Sequence, residues 1–248
     1  LILKHPVPPV SSVPKAISSL IFYNEDKIIT AGRWNEFFVW DITSGAMNYT
    51  KSTEIKYTGK IEISPDGNFL ALANVLGKLS IFNMYTLETQ YVKDMIVPPP
   101  SMIHLIAFSP DSQYLVTAFE DEGQIWSMKN GEILKSFDKK RREVIGFLDD
   151  DHLVFYKKGV IEIENVFSSE VKSTFFIQED FRIYKGRYKN VIFFLKENAE
   201  EVSYISYDLN TGKRIGQISN VDRNHLISLS KDIKIGLFKE GDHLTIKN

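Results

Sequence analysis

Five histidines, His5, His104, His152, His225 and His243, are the residues of this 248-residue chain best suited to move a proton near neutral pH. No two of them stand at the spacing of metal ligands on one strand or helix. The chain has no cysteine, so a thiolate metal site, a disulfide framework and a cysteine nucleophile are all excluded. No Gly-x-Ser-x-Gly elbow, phosphate loop or dinucleotide fingerprint occurs. Asp149-Asp150-Asp151 has the charge to attract a hard cation, but three consecutive side chains cannot converge on one ion, and a calcium loop spaces its oxygens around a Gly. It reads as a hydrophilic hairpin. The expectation is therefore no catalytic residue, no cofactor and no metal.

Residues suited to binding are easier to find. Lys139-Lys140-Arg141-Arg142 is the densest run of charge, and Lys157-Lys158 follows shortly after it. Six gathered cations would dock an acidic peptide, a phosphate group or a nucleic-acid backbone, and as a solvated loop they would simply keep the surface soluble. Trp34, between Arg33 and Asn35, falls outside any strand pattern, and a Trp carried on a turn either folds back onto its own blade or serves as an exposed interface anchor. The expected partner surface is thus Arg33, Trp34, Lys139, Lys140, Arg141, Arg142, Lys157 and Lys158. Pro98-Pro99-Pro100 lacks flanking basic residues and reads as a stiff connection.

The elements that must position these residues repeat. Strand-like apolar runs end at Trp40-Asp41, Phe82-Asn83, Trp126-Ser127, Glu164-Asn165, Tyr207-Asp208 and Lys247-Asn248, at intervals of 42, 44, 38, 43 and 40 residues. That is the period of a four-stranded propeller blade. Within a unit, Lys60 to Ile63 and Phe69 to Ala73 flank the tight turn Ser64-Pro65-Asp66-Gly67, and Ile103 to Phe108 and Tyr114 to Phe119 flank Ser109-Pro110-Asp111-Ser112. The predicted fold is all-β, one propeller of four-stranded antiparallel blades over residues 1–248. Only three strands fall in the last unit, ending with His243 to Ile246, and Leu1 to Lys4 would supply its fourth. Six blades closed in this way are expected, with a seven-bladed ring as the alternative.

The strings Phe38-Val39-Trp40-Asp41-Ile42-Thr43-Ser44-Gly45, Ala107-Phe108-Ser109-Pro110-Asp111 and Ile205-Ser206-Tyr207-Asp208-Leu209-Asn210-Thr211-Gly212 resemble the WD-repeat family of β-propellers, and the periodic pattern runs the length of the chain. The resemblance implies a mostly non-catalytic platform that assembles other proteins, as a subunit of a larger assembly. Well-kept repeats of that family join a Gly-His pair, a turn Asp and the Trp in a buried hydrogen-bond network. Gly-His is absent here and Trp34-Asn35 occupies the turn before the Trp40 strand, so that network is expected to be largely missing. Trp40, Phe82, Trp126 and Tyr207 are then packing between blades.

In a propeller the connection between blades shares a face with the turn between the second and third strands of a blade. Lys157-Lys158 would therefore join Lys139 to Arg142, while Glu197 with Glu200-Glu201 on the same face argues against nucleic acid. The formal net charge of −2 makes no general claim on nucleic acid or an anionic membrane, and no apolar run approaches the length that crosses a bilayer. The predicted function is a non-catalytic interaction propeller binding a protein or acidic peptide. A small-molecule-binding or hydrolytic propeller, with His104 and His225 near a central funnel, is the alternative. Absence of cysteine favours a reducing compartment and so the cytoplasm, with the nucleus, or an extracytoplasmic site after removal of a signal peptide, as the alternatives. The chain begins at Leu1 rather than Met, as a processed chain or an excerpt of a longer one would.

Overall fold

The aromatic–Asx marker ends a strand because of what its second residue bonds. Asp41 Oδ1 accepts hydrogen bonds from the backbone N–H of Thr43 (3.0 Å) and Ser44 (2.7 Å). Asn83 Oδ1 does the same for Tyr85 (2.9 Å) and Thr86 (3.0 Å), Asn165 Oδ1 for Phe167 (3.0 Å) and Ser168 (2.9 Å), and Asp208 Oδ1 for Asn210 (2.8 Å) and Thr211 (3.0 Å). Each is an Asx turn that satisfies two backbone donors as the chain reverses. The turn closes on a residue with positive φ: Gly45 (74°), Leu87 (57°), Gly131 (66°), Ser169 (62°) and Gly212 (67°).

A computed structural model of the chain describes residues 17–33, 35–94, 103–140, 142–177, 182–188, 191–197, 202–218, 226–229, 236–240 and 243–247, with side chains beyond 177 described at 205 and 207–216. The first sheet is β1 (Ile17–Phe22), β2 (Lys27–Gly32), β3 (Glu36–Asp41) and β4 (Met47–Ser52). The second is β5 (Thr58–Ile63), β6 (Phe69–Asn74), β7 (Lys78–Asn83) and β8 (Glu88–Asp94), and the third β9 (Leu105–Phe108), β10 (Tyr114–Ala118), β11 (Glu122–Ser127) and β12 (Ile133–Asp138). The fourth is β13 (Glu143–Phe147), β14 (His152–Lys157), β15 (Val160–Asn165) and β16 (Val171–Phe176), and the fifth β17 (Arg182–Tyr188), β18 (Val191–Glu197), β19 (Val202–Asp208) and β20 (Arg214–Ile218). The sixth has three strands, β21 (Leu226–Leu229), β22 (Gly236–Glu240) and β23 (His243–Lys247). Every sheet is an antiparallel meander in chain order, and no helix occurs among the described residues.

Burial follows position within the sheet. The middle strands β2, β6, β10 and β14 are buried on both faces along most of their length, whereas the outer strands β4, β12 and β16 alternate exposed and half-buried. Both faces of a sheet are therefore covered by neighbouring sheets, and water meets chiefly the outermost strand, with single exposed residues such as Ser18, Lys60 and Glu143 on the innermost ones. Ile29, Phe37 and Val39 pack on Ile61, Leu70 and Phe82 between the first and second sheets. Ala71 and Ile81 meet Ile106, Phe108 and Trp126 between the second and third. Val116 and Ile125 meet Phe147, Leu153 and Phe155 between the third and fourth, and Val154 and Ile161 meet Ile205 and Leu209 between the fourth and fifth. The first strands of successive sheets β1, β5, β9 and β13 lie side by side, and β21 lies beside β1, so the sixth sheet neighbours the first. This is the architecture of a β-propeller. The strand Leu1 to Lys4, expected to pair with β23, lies outside the described residues, as do His5, Pro98-Pro99-Pro100 and His225.

The marker aromatics pack as expected: Trp40, Phe82 and Trp126 are buried, and Tyr207 is half-buried against the cluster between the fourth and fifth sheets. The polar network is kept in part. Trp40 Nε1 donates to Thr30 Oγ1 and Trp126 Nε1 to Thr117 Oγ1, each at 2.9 Å between buried groups. One inner-strand carboxyl has no such partner among the described residues. Glu62 pairs across the ladder with Ala71, on the side of the second sheet that meets Ile106 and Phe108, and burial there pushes it up to about 8.

Candidate interaction face

The two ends of the sheets differ in what their turns do. At one end lie the Ser-Pro-Asp hairpins and the Asx turns, and there neighbouring sheets are tied together. Asp66 N–H donates to Ser112 Oγ (3.2 Å) and Asp111 N–H to Asp150 Oδ1 (2.9 Å), each reaching the equivalent hairpin of the next sheet. Tyr91 Oη donates to Lys129 O (2.9 Å) and Lys135 Nζ to Phe167 O (3.0 Å), each from an outer strand to the next sheet's turn. At the other end, the loop face, lie the turns between second and third strands and the connections between sheets. The predicted binding residues belong to this face.

Arg33 is exposed in the turn between β2 and β3, and Trp34 beside it lies outside the described residues. The basic run joins the third and fourth sheets, and Lys157 Nζ donates to Lys140 O (3.1 Å), so the turn between β14 and β15 does meet that connection. Lys140, Lys157 and Lys158 are exposed, while Arg141 lies outside the described residues. The remaining two cations point inward. Lys139 is buried, its Nζ donating to the carbonyls of Phe119 and Glu120. Burial lowers its pKa from the ordinary lysine range, opposed by the carboxylates of Glu120, Glu143 and Asp121. Arg142 is 8% exposed, with Nη1 at 2.9 Å from Glu162 Oε2 and 2.8 Å from Glu164 Oε2, Nε donating to Lys139 O (3.1 Å), and its guanidinium 4.0 Å from the centre of the Phe155 ring. Lys139 and Arg142 pin the connection to the sheets, a role that a run of four basic letters does not announce.

Beside this connection a cleft of about 520 Å³ opens, lined by His104, Leu105, Ala118, Glu120, Asp121, Lys139, Arg142, Glu143 and Val144. His104 Nε2 lies 3.1 Å from Glu120 Oε2. The lining combines the carboxylates of Glu120, Asp121 and Glu143 with the cations Lys139 and Arg142 and the apolar Leu105, Ala118 and Val144. One blade away, the turn between β6 and β7 exposes Val75 and Leu76, next to the exposed Tyr57. The signal for this patch was an apolar pair placed before Gly77 in a turn whose counterparts are charged. For the cleft the signal was Glu120-Asp121 in the equivalent turn of the third sheet.

The triple-Asp hairpin lies at the opposite end and is divided among partners. Asp150 takes the Asp111 N–H, while His152 Nδ1 stands 2.7 Å from both Asp149 Oδ1 and Asp151 Oδ1. Lys172 Nζ is 3.3 Å from Asp149 Oδ2, and Asn165 Nδ2 donates to Asp151 Oδ2 at 3.1 Å. One ligand atom from each of Asp149, Asp151 and His152 lies within 4.8 Å of the others, the only such group among the described residues. Each of the three aspartates thus has a partner within the fold, Asp149 and Asp151 at His152, Asp149 also at Lys172, and Asp150 at the Asp111 N–H.

No protein-family model matches the chain. It is similar to small ribosomal subunit protein RACK1y of Oryza sativa subsp. japonica, with 25% identity over 103 residues, covering 41% of this chain and 30% of that protein. The chain thus spans less than a third of the length of this curated relative. Together with the repeated four-stranded sheets, the similarity supports a WD-repeat-like propeller. No helix among the described residues is long and apolar enough to cross a membrane.

Proposed function

We propose that this chain is a non-catalytic, cytoplasmic protein-interaction propeller that offers its loop face to a protein or peptide partner within a larger assembly. The observation that carries the reading is the division of labour between the ends. One end's turns bond from sheet to sheet, while the other exposes Arg33, Lys140, Lys157 and Lys158 on turns held by buried strands. Trp34, Arg141 and the inward Lys139 and Arg142 complete the proposed surface, the last two by fixing the loop. Similarity to a ribosomal subunit protein favours membership of an assembly. Affinity purification followed by mass spectrometry tests it. The unaltered protein and an opposite-face control, Lys129→Glu, should recover the same partner, and the triple reversal of Lys140, Lys157 and Lys158 to Glu should lose it. Retention by the triple variant would overturn the reading.

The same proposal holds that Leu1 to Lys4 pairs with β23 to complete six blades in one domain. A four-stranded last sheet would match the other five and cover an exposed edge. Deleting the first four residues should lower the melting temperature of the whole domain, and an unchanged melting curve would count against closure. The alternative, a small-molecule or hydrolytic site at the funnel, would draw on His104 with Glu120. Both side chains are open to solvent, at 43% and 75% exposure, which favours binding over chemistry.

A further inference from the structure

We infer that the loop face over the second to fourth sheets docks a protein segment that lays an apolar side chain on Tyr57, Val75 and Leu76 and places a lysine or arginine side chain in the cleft rimmed by Glu120, Asp121 and Glu143. The inference rests on the loop-face reading above and names the chemistry of the partner.

The apolar part is a built feature. Leu76 is 77% exposed, Tyr57 45% and Val75 39%. They form one locus, because Thr58 pairs with Asn74 across the ladder and a Cβ added at Gly59 would lie 3.4 Å from Val75 Cγ1. Asn74 Oδ1 accepts from Leu76 N (3.0 Å) and Lys78 N (2.8 Å), and Gly77 takes φ 82° to complete the turn. Leu76 is therefore held out to water by a turn already ordered. Apolar area that is exposed and preorganised loses little freedom on binding, which is what an interface anchor needs.

The charge of the cleft selects the second contact. The cations in its walls are already engaged, Lys139 by the carbonyls of Phe119 and Glu120 and Arg142 by Glu162 and Glu164. Glu120, Asp121 and Glu143 are exposed; His104 lies 3.1 Å from Glu120, and the Lys139 ammonium, already bonded to two carbonyls, faces all three, so three carboxylates stand against one buried cation. The apolar Leu105, Ala118 and Val144 lie in the same lining. Carboxylates beside apolar side chains fit a side chain with an aliphatic stem and a cationic head, which describes lysine and arginine alone among the twenty.

Selection of displayed random peptides on the immobilised protein at low salt, followed by fluorescence anisotropy of the enriched peptides, tests this. Enrichment should pair Arg or Lys with Leu, Ile or Phe. Leu76→Ser and the isosteric Glu143→Gln, with melting temperatures unchanged, should each weaken the enriched peptides about tenfold, as loss of a central contact does. Enrichment of acidic peptides that are lost on Lys157→Glu with Lys158→Glu would keep the loop-face reading and overturn this inference. Basic peptides whose affinity is the same in both Leu76→Ser and Glu143→Gln, or no enrichment at all, would overturn it as well. Peptides indifferent to every loop-face substitution would overturn both readings.

Discussion

The third and fourth sheets solve one packing problem in two ways. Trp126 and Glu164 hold the same place in the repeat, and so do Thr117 and Phe155, and Gln124 and Glu162. In the third sheet the buried polar contact is neutral, a Trp126 indole donating to Thr117. In the fourth the aromatic has moved to Phe155, carboxylates stand where Trp and Gln stood, and Arg142 reaches in from the connecting loop to hold both. The difference teaches that the repeat keeps a buried polar contact beside an aromatic ring at this level of the sheet rather than a residue type; the fourth sheet's carboxylates are the better partnered, since Gln124 Oε1 in the third is buried with no hydrogen-bond partner among the described residues. A neutral pair costs little to bury, whereas the ionic one holds only while every member is present.

The largest expected effect breaks the ionic solution. Arg142→Met keeps length and apolar contact with Phe155 but leaves Glu162 and Glu164 without their cation. The loss should be about 3 kcal/mol, at the low end of a broken buried pair because Glu162 retains some solvent. Changing both carboxylates to Gln in that background should recover much of it, since two neutral amides leave no buried charge unpaired and Gln already occupies the place of Glu162 in the third sheet. Denaturant unfolding of the three proteins decides the matter, and equal midpoints would mean that the fourth sheet does not depend on the charge.

Glu62 sharpens the comparison as a carboxyl with no guanidinium. Its folded pKa, about 8, lies above the ordinary 4.5, so between those values the folded chain holds more protons than the unfolded one. Stability contributed by this group therefore falls as pH rises through that window. Glu62→Gln should remove the fall and leave the variant more stable at pH 8 by about 1–2 kcal/mol, discounted for the solvent that still reaches the side chain. At pH 4 the two proteins should unfold alike. A pH series of thermal melts measures both, and parallel curves would show that Glu62 ionises freely.

How much of this was legible follows from which interactions are local. The Asx turns at Asp41, Asn83, Asn165 and Asp208 bond residues two and three positions ahead, so the letters themselves carry the repeat, and the strands read as Lys60 to Ile63, Phe69 to Ala73, Ile103 to Phe108, Tyr114 to Phe119 and His243 to Ile246 have their ends within about two residues of where they stand. Trp40, Phe82 and Trp126 were legible as packing because they recur at one position of that repeat. The basic run was not, because Lys139 finds its carbonyls about twenty positions back and Arg142 its carboxylates about twenty ahead. Charge in sequence gives no direction in space. The cleft was equally hidden, since its lining comes from residues spread over His104 to Val144 that only the sheet order brings together.

The smallest effect concerns the turn that closes each sheet. At the position with positive φ the third sheet has Gly131 and the fourth has Ser169, at 66° and 62°. Ser169 is strained there but accepts a hydrogen bond from Lys135 Nζ at 2.8 Å, an exposed contact between sheets. Ser169→Gly should relieve about 1 kcal/mol of backbone strain and lose roughly half of that with the hydroxyl, for a net gain of a few tenths. The converse, Gly131→Ser, should cost clearly more, because a Cβ there would come within 2.8 Å of the Tyr91 ring as well as forcing the same φ. Thermal melts of the two single variants should move in opposite directions. If both move the same way, the turn is set by the chain on either side of it, and the glycine in the third sheet serves only the ring that packs above it.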